Sequence, residues 1–412
     1  MTLGLAASLS FATACGDDDD DDDGDGTAEA DDDAADSADD DDQASAEPIL
    51  IASLNPLGSG QGGQDFLEGM QVAAAAINQA GGINGRQIEI ESYDTEGNPE
   101  VATAVYREAG NTDALAAFQG ATGGQAIRAI SDEIQLPVIT AGGIDETFKP
   151  AVDYVFGNAP TGELSTIALD YASDELGATT VALLHFDSEF SQGIEGALEA
   201  RAQEIGMEVV AVEAASVADA DVSAQLTNLA ASDPDVFYIE GLSPVGIQGF
   251  RTLGLDAPVI AEQWLSIPGL AQACGEACEG VVFAAHKCRI TEQLPDDDPL
   301  KAVCEEYASR YSAMFPDKEV PLFGIYGYDA VNTIAAAVQK VLDSGDDLTR
   351  ESVAAAIETF AGDLFTTQGE IHTSEDNHAL LGPVTESFAL VTIVDGGAGW
   401  ECVYETCSGT VD

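Results

Sequence analysis

The sequence predicts an α/β protein of two doubly wound lobes, each a parallel sheet with helices on both faces. Three observations predict it. Strands and amphipathic helices alternate from Ile49 to Ala285 in two successive runs. Such alternation is the pattern of parallel sheets built from βαβ units. From Glu47 onward the chain keeps about 366 residues, enough for two domains. The segment Ala75–Ala102 reads as a complete βαβ crossover, with its turns spelled out.

That first unit opens on a strand, Ile49–Leu54. Phe66, Met70, Ala73, Ala74 and Ile77 then share one face of a helix. Gly81 and Gly82 stop it, because glycine takes left-handed dihedrals cheaply. Asn84-Gly85 makes a tight turn. Gln87–Tyr93 alternates apolar and polar residues, as a half-buried strand does, and an acidic loop closes at Pro99. Further strands are expected at Ala114–Gln119, Pro137–Thr140 and Tyr154–Phe156. The second run places them at Thr179–His185, Glu208–Val212, Val236–Glu240, Val259–Ala261 and Gly280–Ala285. Helices are expected between most of these, at Leu164–Leu176, Gln192–Ile205 and Val222–Ser232 among others. Pro299–Phe315, Tyr328–Ser344 and Arg350–Phe360 read as later helices. Gly369–His372 and Ala389–Val394 read as late strands.

The amino terminus speaks of location. Leu5–Ala14 is short, apolar and rich in small residues, and it ends Ala12-Thr13-Ala14-Cys15-Gly16. Residues 1–15 look like a lipoprotein signal peptide, with Cys15 as the lipidated residue. A degenerate secretory leader with an incidental cysteine is the alternative. Ten apolar residues cannot cross ~30 Å of hydrocarbon, so contact with the membrane runs through the lipid alone. Residues 16–46 carry 17 acidic residues and neither a basic nor an aromatic one. Such a stretch cannot bury enough apolar surface to offset its ordering entropy, and its like charges keep it extended. It is expected to be a disordered acidic tether.

Charge bounds the partners. The chain holds 13 basic and 75 acidic residues, a formal charge of −62. Nucleic acid is excluded, since phosphate binding needs a basic face. So acidic a surface suits high ionic strength, where screening relieves self-repulsion. Of seven cysteines, six remain beside Cys15. Proximity favours Cys274 with Cys278, Cys288 with Cys304 and Cys402 with Cys407, out of fifteen possible connectivities. An oxidising, extracytoplasmic compartment agrees with the leader. No metal site is expected, because Cys274-x3-Cys278 has no second pair at metal spacing. His185, His286, His372 and His378 are scattered. No catalytic constellation stands out: there is no Gly-x-Ser-x-Gly elbow and no His-Glu-x-x-His helix. The expectation is a binder without catalysis and without a cofactor.

Gly58-Ser59-Gly60-Gln61-Gly62-Gly63 matches the dinucleotide pattern Gly-x-Gly-x-x-Gly after a strand. Asn55-Pro56-Leu57 separates it from the strand, however, and the next acidic strand end, Asp94, lies 31 residues past Gly63.

The wording of Ala75–Ala102 is more specific than its shape. Ile-Asn, then Gly-Gly-Ile-Asn-Gly-Arg, then a strand ending in Asp94 with Pro99 beyond, resembles the leucine/isoleucine/valine-binding family. These are type I periplasmic binding proteins, receptors of ABC importers with two Rossmann-like lobes joined by a three-strand hinge. Gly327-Tyr328-Asp329-Ala330-Val331 resembles the family's returning helix. The resemblance implies lobe one at 47–162 plus 287–378 and lobe two at 163–286 plus 379–412. It implies as partners a small ligand (amino acid-like, an amide or an organic acid) and ABC permease subunits. A sensor or buffering module of the same fold without a transporter is the second function class.

The resemblance also implies a site. Pro56-Leu57-Gly58-Ser59 resembles the family's cleft loop, which puts Ser59 at the ligand. A zwitterion needs N–H donors for its carboxylate, and helix N-termini supply them. Gly120–Gly124 and Ala141–Asp145 each stand between a strand and an expected helix. From them come Ala121 or Thr122, Gly142, and Ile144 where the family's amino acid binders carry threonine. Lobe two is expected to bring Phe190, Leu242 or Ser243, and Gln263 with Glu262 beside it as the acid for an ammonium.

Overall fold

The computed structural model describes residues 47–58, 62–120, 122–141, 147–160, 162–216, 218–240, 244–267 and 269–403. Cys15, the acidic segment and Cys407 lie outside these residues. For Glu163, Glu189 and Phe190 the description is of the backbone.

The chain begins with β1 (Ile49–Asn55), α1 (Gly63–Gln79), β2 (Ile88–Asp94), α2 (Pro99–Gly110) and β3 (Ala116–Gln119). Short helices α3 (Gly124–Arg128) and α4 (Ser131–Ile134) lead to β4 (Val138–Thr140) and β5 (Val155–Gly157). These strands form a parallel sheet in the order β2-β1-β3-β4-β5. The second run is α5 (Gly162–Asp174), β6 (Thr180–Phe186), α6 (Glu189–Ile205), β7 (Glu208–Ala215), α7 (Ser223–Ala230) and β8 (Val236–Ile239). It continues through α8 (Pro244–Thr252), β9 (Val259–Ala261), α9 (Leu270–Cys274) and β10 (Val282–His286). Then come α10 (Pro299–Met314), α11 (Leu322–Ser344), α12 (Arg350–Ile357) and a hairpin of β11 (Ala361–Thr366) with β12 (Gly369–His372). The chain ends through α13 (Val384–Ser387), β13 (Phe388–Val394) and β14 (Gly399–Cys402). The second sheet runs β14-β13-β10-β9-β8-β6-β7, with β13 antiparallel to β10 and to β14.

Near-continuous apolar strands are what a sheet covered on both faces requires. Successive residues alternate between two cores. In the first sheet Ile49, Ile51, Phe118 and Phe156 face α1 and α10 to α12, while Ala52, Leu54, Ala117 and Val155 face α2 and Ile127. In the second, Leu184, Phe237, Ile239 and Phe283 face α7 and α8. Leu183, Val236, Tyr238 and Leu390 face α5 and α6.

Most elements fall where the sequence places them. The Asn84-Gly85 turn has both residues at positive φ, 51° and 83°, and closes with Ile83 and Arg86 exchanging backbone hydrogen bonds. The helix expected from Tyr328 instead begins at Leu322. Gly324 and Gly327 hide its first turns, because glycine is a poor helix former. They stand there for packing: a Cβ on Gly69 of α1 would lie 1.8 Å from the Gly324 carbonyl oxygen, and one on Gly327 2.0 Å from that of Phe66. Helices α1 and α11 therefore touch backbone to backbone. The helix expected to reach Leu176 stops at Asp174, and Leu176 is exposed at 42%. Strands β11 and β14 were not expected, being exposed or half-exposed along most of their length.

The chain passes between the two sheets three times. The first and third passages bind each other: Gly157 N–H donates to His378 O (3.0 Å) and Leu380 N–H to Gly157 O (2.6 Å). The second is tied to α10 by the Cys288–Cys304 disulfide and a buried Lys287–Asp298 ion pair at 3.1 Å. Cys274–Cys278 is the other bridge between described cysteines, as proximity predicts. Cys402 is also disulfide-bonded, and Cys407, its expected partner, lies outside the described residues.

Candidate functional site

In a doubly wound sheet, ligands bind beyond the carboxyl ends of the strands, where the strand order reverses. Here that point lies between β1 and β3 in the first sheet and between β6 and β8 in the second.

On the first wall, Asn55 ends β1 fully buried. Its Nδ2 donates to Ser53 Oγ (2.7 Å), and its Oδ1 has no hydrogen-bond partner. Gln119 ends β3 and shapes the next loop: Nε2 donates to the carbonyls of Gly120 (2.7 Å) and Thr122 (2.8 Å). Thr140 Oγ1 donates to its Oε1 (2.5 Å). Gly120 cannot carry a side chain, since a Cβ would meet Phe66 at 2.5 Å and Asn55 Oδ1 at 2.6 Å. Asp94 Oδ1 accepts from Leu57 N–H (3.0 Å) and Glu96 N–H (2.8 Å), so the acid that would hold a ribose instead fastens the loop after β1.

On the second wall stand two buried acids. Glu240 follows β8. Its Oε2 accepts from Phe186 N–H (2.7 Å) and its Oε1 from Ser191 Oγ (3.0 Å). Burial pushes its carboxyl up. Glu262 follows β9, is 2% exposed, and its Oε1 has no partner. Burial first, and the charge of Glu240 second, push the Glu262 carboxyl well up; the backbone N–H groups of Trp264 and Gln263 oppose this.

The walls meet through the residues after Glu262. Tyr326 Oη of α11 donates to Gln263 Oε1 across the lobes (3.4 Å), and Asn158 Nδ2 donates to the Tyr326 carbonyl (2.8 Å). The rings of Trp264 and Phe323 lie 5.7 Å apart, and Phe323 packs 5.1 Å from Phe66.

Of the residues singled out from sequence, Ser59, Ala121, Gly142, Ile144, Leu242 and Ser243 lie outside the described residues. Phe190 sits in the first turn of α6, capped by Ser188, whose side chain accepts from Ser191 N–H (3.0 Å). Thr122 is half-buried after β3, and Glu262 and Gln263 are buried together. A helix, α3, does follow the first of the two expected donor loops, though it is only five residues long. Residues 142–146 of the second loop lie outside the described residues; beyond them Arg128 donates to Thr147 O (3.2 Å) and Pro150 O (2.8 Å). Sequence reasoning missed Asn55, Gln119, Glu240, Trp264 and Tyr326. A polar residue closing a buried strand was the available signal for the first three.

Two doubly wound lobes, crossed three times by the chain and meeting at their strand ends over aromatic rings and a buried acid with one unpartnered oxygen, are the architecture of a two-lobed binding protein. The chain belongs to the periplasmic binding protein family, whose model matches residues 48–398. It is 27% identical over 287 residues to an amino acid binding protein of Pseudomonas aeruginosa, covering 67% of this chain and 73% of that one. It is 24% identical over 346 residues to the leucine-, isoleucine-, valine-, threonine-, and alanine-binding protein of the same organism, covering 79% and 88%. Among solved structures, an extracellular ligand-binding receptor from Rhodopseudomonas palustris HaA2 superposes with a TM-score of 0.75 at 20% identity, covering 87% of this chain and all of that one. The branched-chain amino acid transporter substrate binding protein LivJ from Streptococcus pneumoniae, in complex with isoleucine, gives 0.69 at 19%, covering 86% and 99%. No helix of the described residues is long and apolar enough to cross a membrane.

Proposed function

We propose that the protein is the extracytoplasmic receptor of an ABC importer and takes an amino acid, or a related carboxylate or amide, into the cleft between its lobes. The observation that carries this is Glu262. A buried carboxylate with a free oxygen is costly unless a cation or donor meets it, and a ligand ammonium would meet it there. Tyr326 bonds the neighbouring Gln263, and Trp264 packs on Phe323; these rings favour an apolar body. The relatives from Pseudomonas aeruginosa bear names of amino acid binding proteins, which agrees.

Within this reading lobe one comprises 47–162 plus 287–378 and lobe two 163–286 plus 379–412. Ser59, Thr122, Gly142 and Ile144 face the ligand from the first. Phe190, Ser243 and Glu262 face it from the second. Cys15 carries the lipid, and the acidic segment holds the lobes off the membrane. Membrane fractionation tests the anchor: Cys15→Ala should turn a membrane-bound protein soluble.

A thermal-shift screen tests the ligand class. Ligand at about 100 times its dissociation constant adds ~2.7 kcal/mol of stability. Hits are expected among amino acids, amides and short-chain or aromatic acids. A hit on a sugar or polyamine, with none in those classes, contradicts the proposal.

A further inference from the structure

We propose that Glu240 is a positioning residue of the ligand site, its carboxylate clamping the turn from β6 into α6 that carries Phe190. The inference rests on the amino acid reading of the cleft.

The geometry is a closed set of short bonds. Phe186 is the last residue of β6, and Ser191 lies in the first turn of α6. Glu240 takes the backbone N–H of the first on one oxygen (2.7 Å) and the hydroxyl of the second on the other (3.0 Å). Ser188 closes the set by donating its hydroxyl to Ser191 Oγ (2.8 Å). The two bonds of Glu240 thus bracket residues 187–190. Both its oxygens are engaged and the residue is 3% exposed, so it acts through the turn and not on the ligand. Glu262, by contrast, keeps Oε1 unpartnered. The two buried acids divide the work: one holds the wall, the other faces the solute.

An acid at this place has a cost that a glutamine would avoid. The amide could satisfy both partners without charge, whereas a buried carboxylate is desolvated and repels its like. The groups facing the pair are His185 of β6, whose charge favours ionised Glu240, Tyr238 of β8, and Tyr326 of α11, which feels Glu262. His185 Nε2 itself turns to Glu195 Oε2 (3.1 Å). Among the described residues no Lys or Arg acts on either acid. The repulsion therefore stands, and it adds to burial in raising the Glu262 carboxyl.

Hydrogen exchange on the ligand-free protein, followed by calorimetry with L-leucine, L-isoleucine and L-valine, tests this. Glu240→Ala should raise exchange of the amides between Phe186 and Ser191 by about tenfold or more, the loss of charged hydrogen bonds. It should weaken binding of these amino acids by a similar factor. Glu240→Gln should keep exchange and binding within about threefold of wild type, and should move the pH profile of binding to lower pH. Ser191→Ala removes one bond only and should give a smaller rise in exchange; it decides the matter if Glu240→Ala does not fold. Unchanged exchange in Glu240→Ala or Ser191→Ala overturns the clamp. So does Glu240→Ala binding as tightly as wild type. If wild type binds none of the three amino acids while the exchange result holds, the amino acid reading fails and the clamp stands.

Discussion

The phenol of Tyr326 donates to the side-chain oxygen of Gln263 across 3.4 Å, joining a helix packed on the first sheet to the residue after Glu262, just beyond β9, the central strand of the second. This contact ties the first lobe to the residue beside Glu262. Burial first, then the charges of Asp329 and Glu262, push the Tyr326 phenol up.

Binding should release protons. The free Glu262 carboxyl is held well above the usual range, and a ligand ammonium favours its ionised form. Affinity for an amino acid should rise with pH until free Glu262 ionises, then level off. Calorimetry in buffers of different ionisation enthalpy measures the proton count. Glu262→Gln should abolish the release and weaken binding by a few kcal/mol.

Asp329 gives a stability prediction. It is buried in α11, where its carboxyl oxygens accept from Thr367 Oγ1 (2.6 Å) and Thr367 N–H (3.3 Å), and burial pushes it up to about 7. The unfolded chain loses this proton near pH 4, the folded one near 7. Between those values the folded state binds more protons, so this group's contribution to stability falls as pH rises. Asp329→Asn should remove that fall and be more stable than wild type at pH 8 by on the order of a few kcal/mol. Urea midpoints at pH 5 and pH 8 check it.

The contact of α1 with α11 should tolerate no methyl group. Gly69→Ala puts a Cβ 1.8 Å from the Gly324 carbonyl oxygen and should cost ~1–3 kcal/mol or more, read as a lower urea midpoint. Gly196→Ala in α6 meets no atom within 4 Å and should instead stabilise by ~0.5–1 kcal/mol.

The Cys288–Cys304 bridge, with a sequence separation of 16, should contribute ~3 kcal/mol by restricting the unfolded chain. The double variant Cys288→Ala, Cys304→Ala should lose about that much, and the Cys274–Cys278 pair, with a separation of 4, less.

What the sequence allowed depended on range. α1, its glycine stop and the Asn84-Gly85 turn were legible because spacing and local dihedrals dictate them. The start of α11 was not, because the reason for Gly324 and Gly327 lies on α1, more than 250 residues away. Glu262 was found through the family resemblance, but its burial belongs to the assembled lobe. Glu240 read as the end of a strand; its role needs Phe186 and Ser191, brought to it by the parallel pairing of β6 with β8. Tyr326 and Gln263 are 63 residues apart and meet only across the lobes.

The central claim is that the cleft holds one amino acid by its ammonium at Glu262. Calorimetric titration of ligand-stripped protein with each protein L-amino acid, at pH 7.5, tests it most directly. The account predicts one site per chain for at least one apolar amino acid, lost or strongly weakened in Glu262→Gln. Heat from none of them, or binding that Glu262→Gln leaves unchanged, would contradict it.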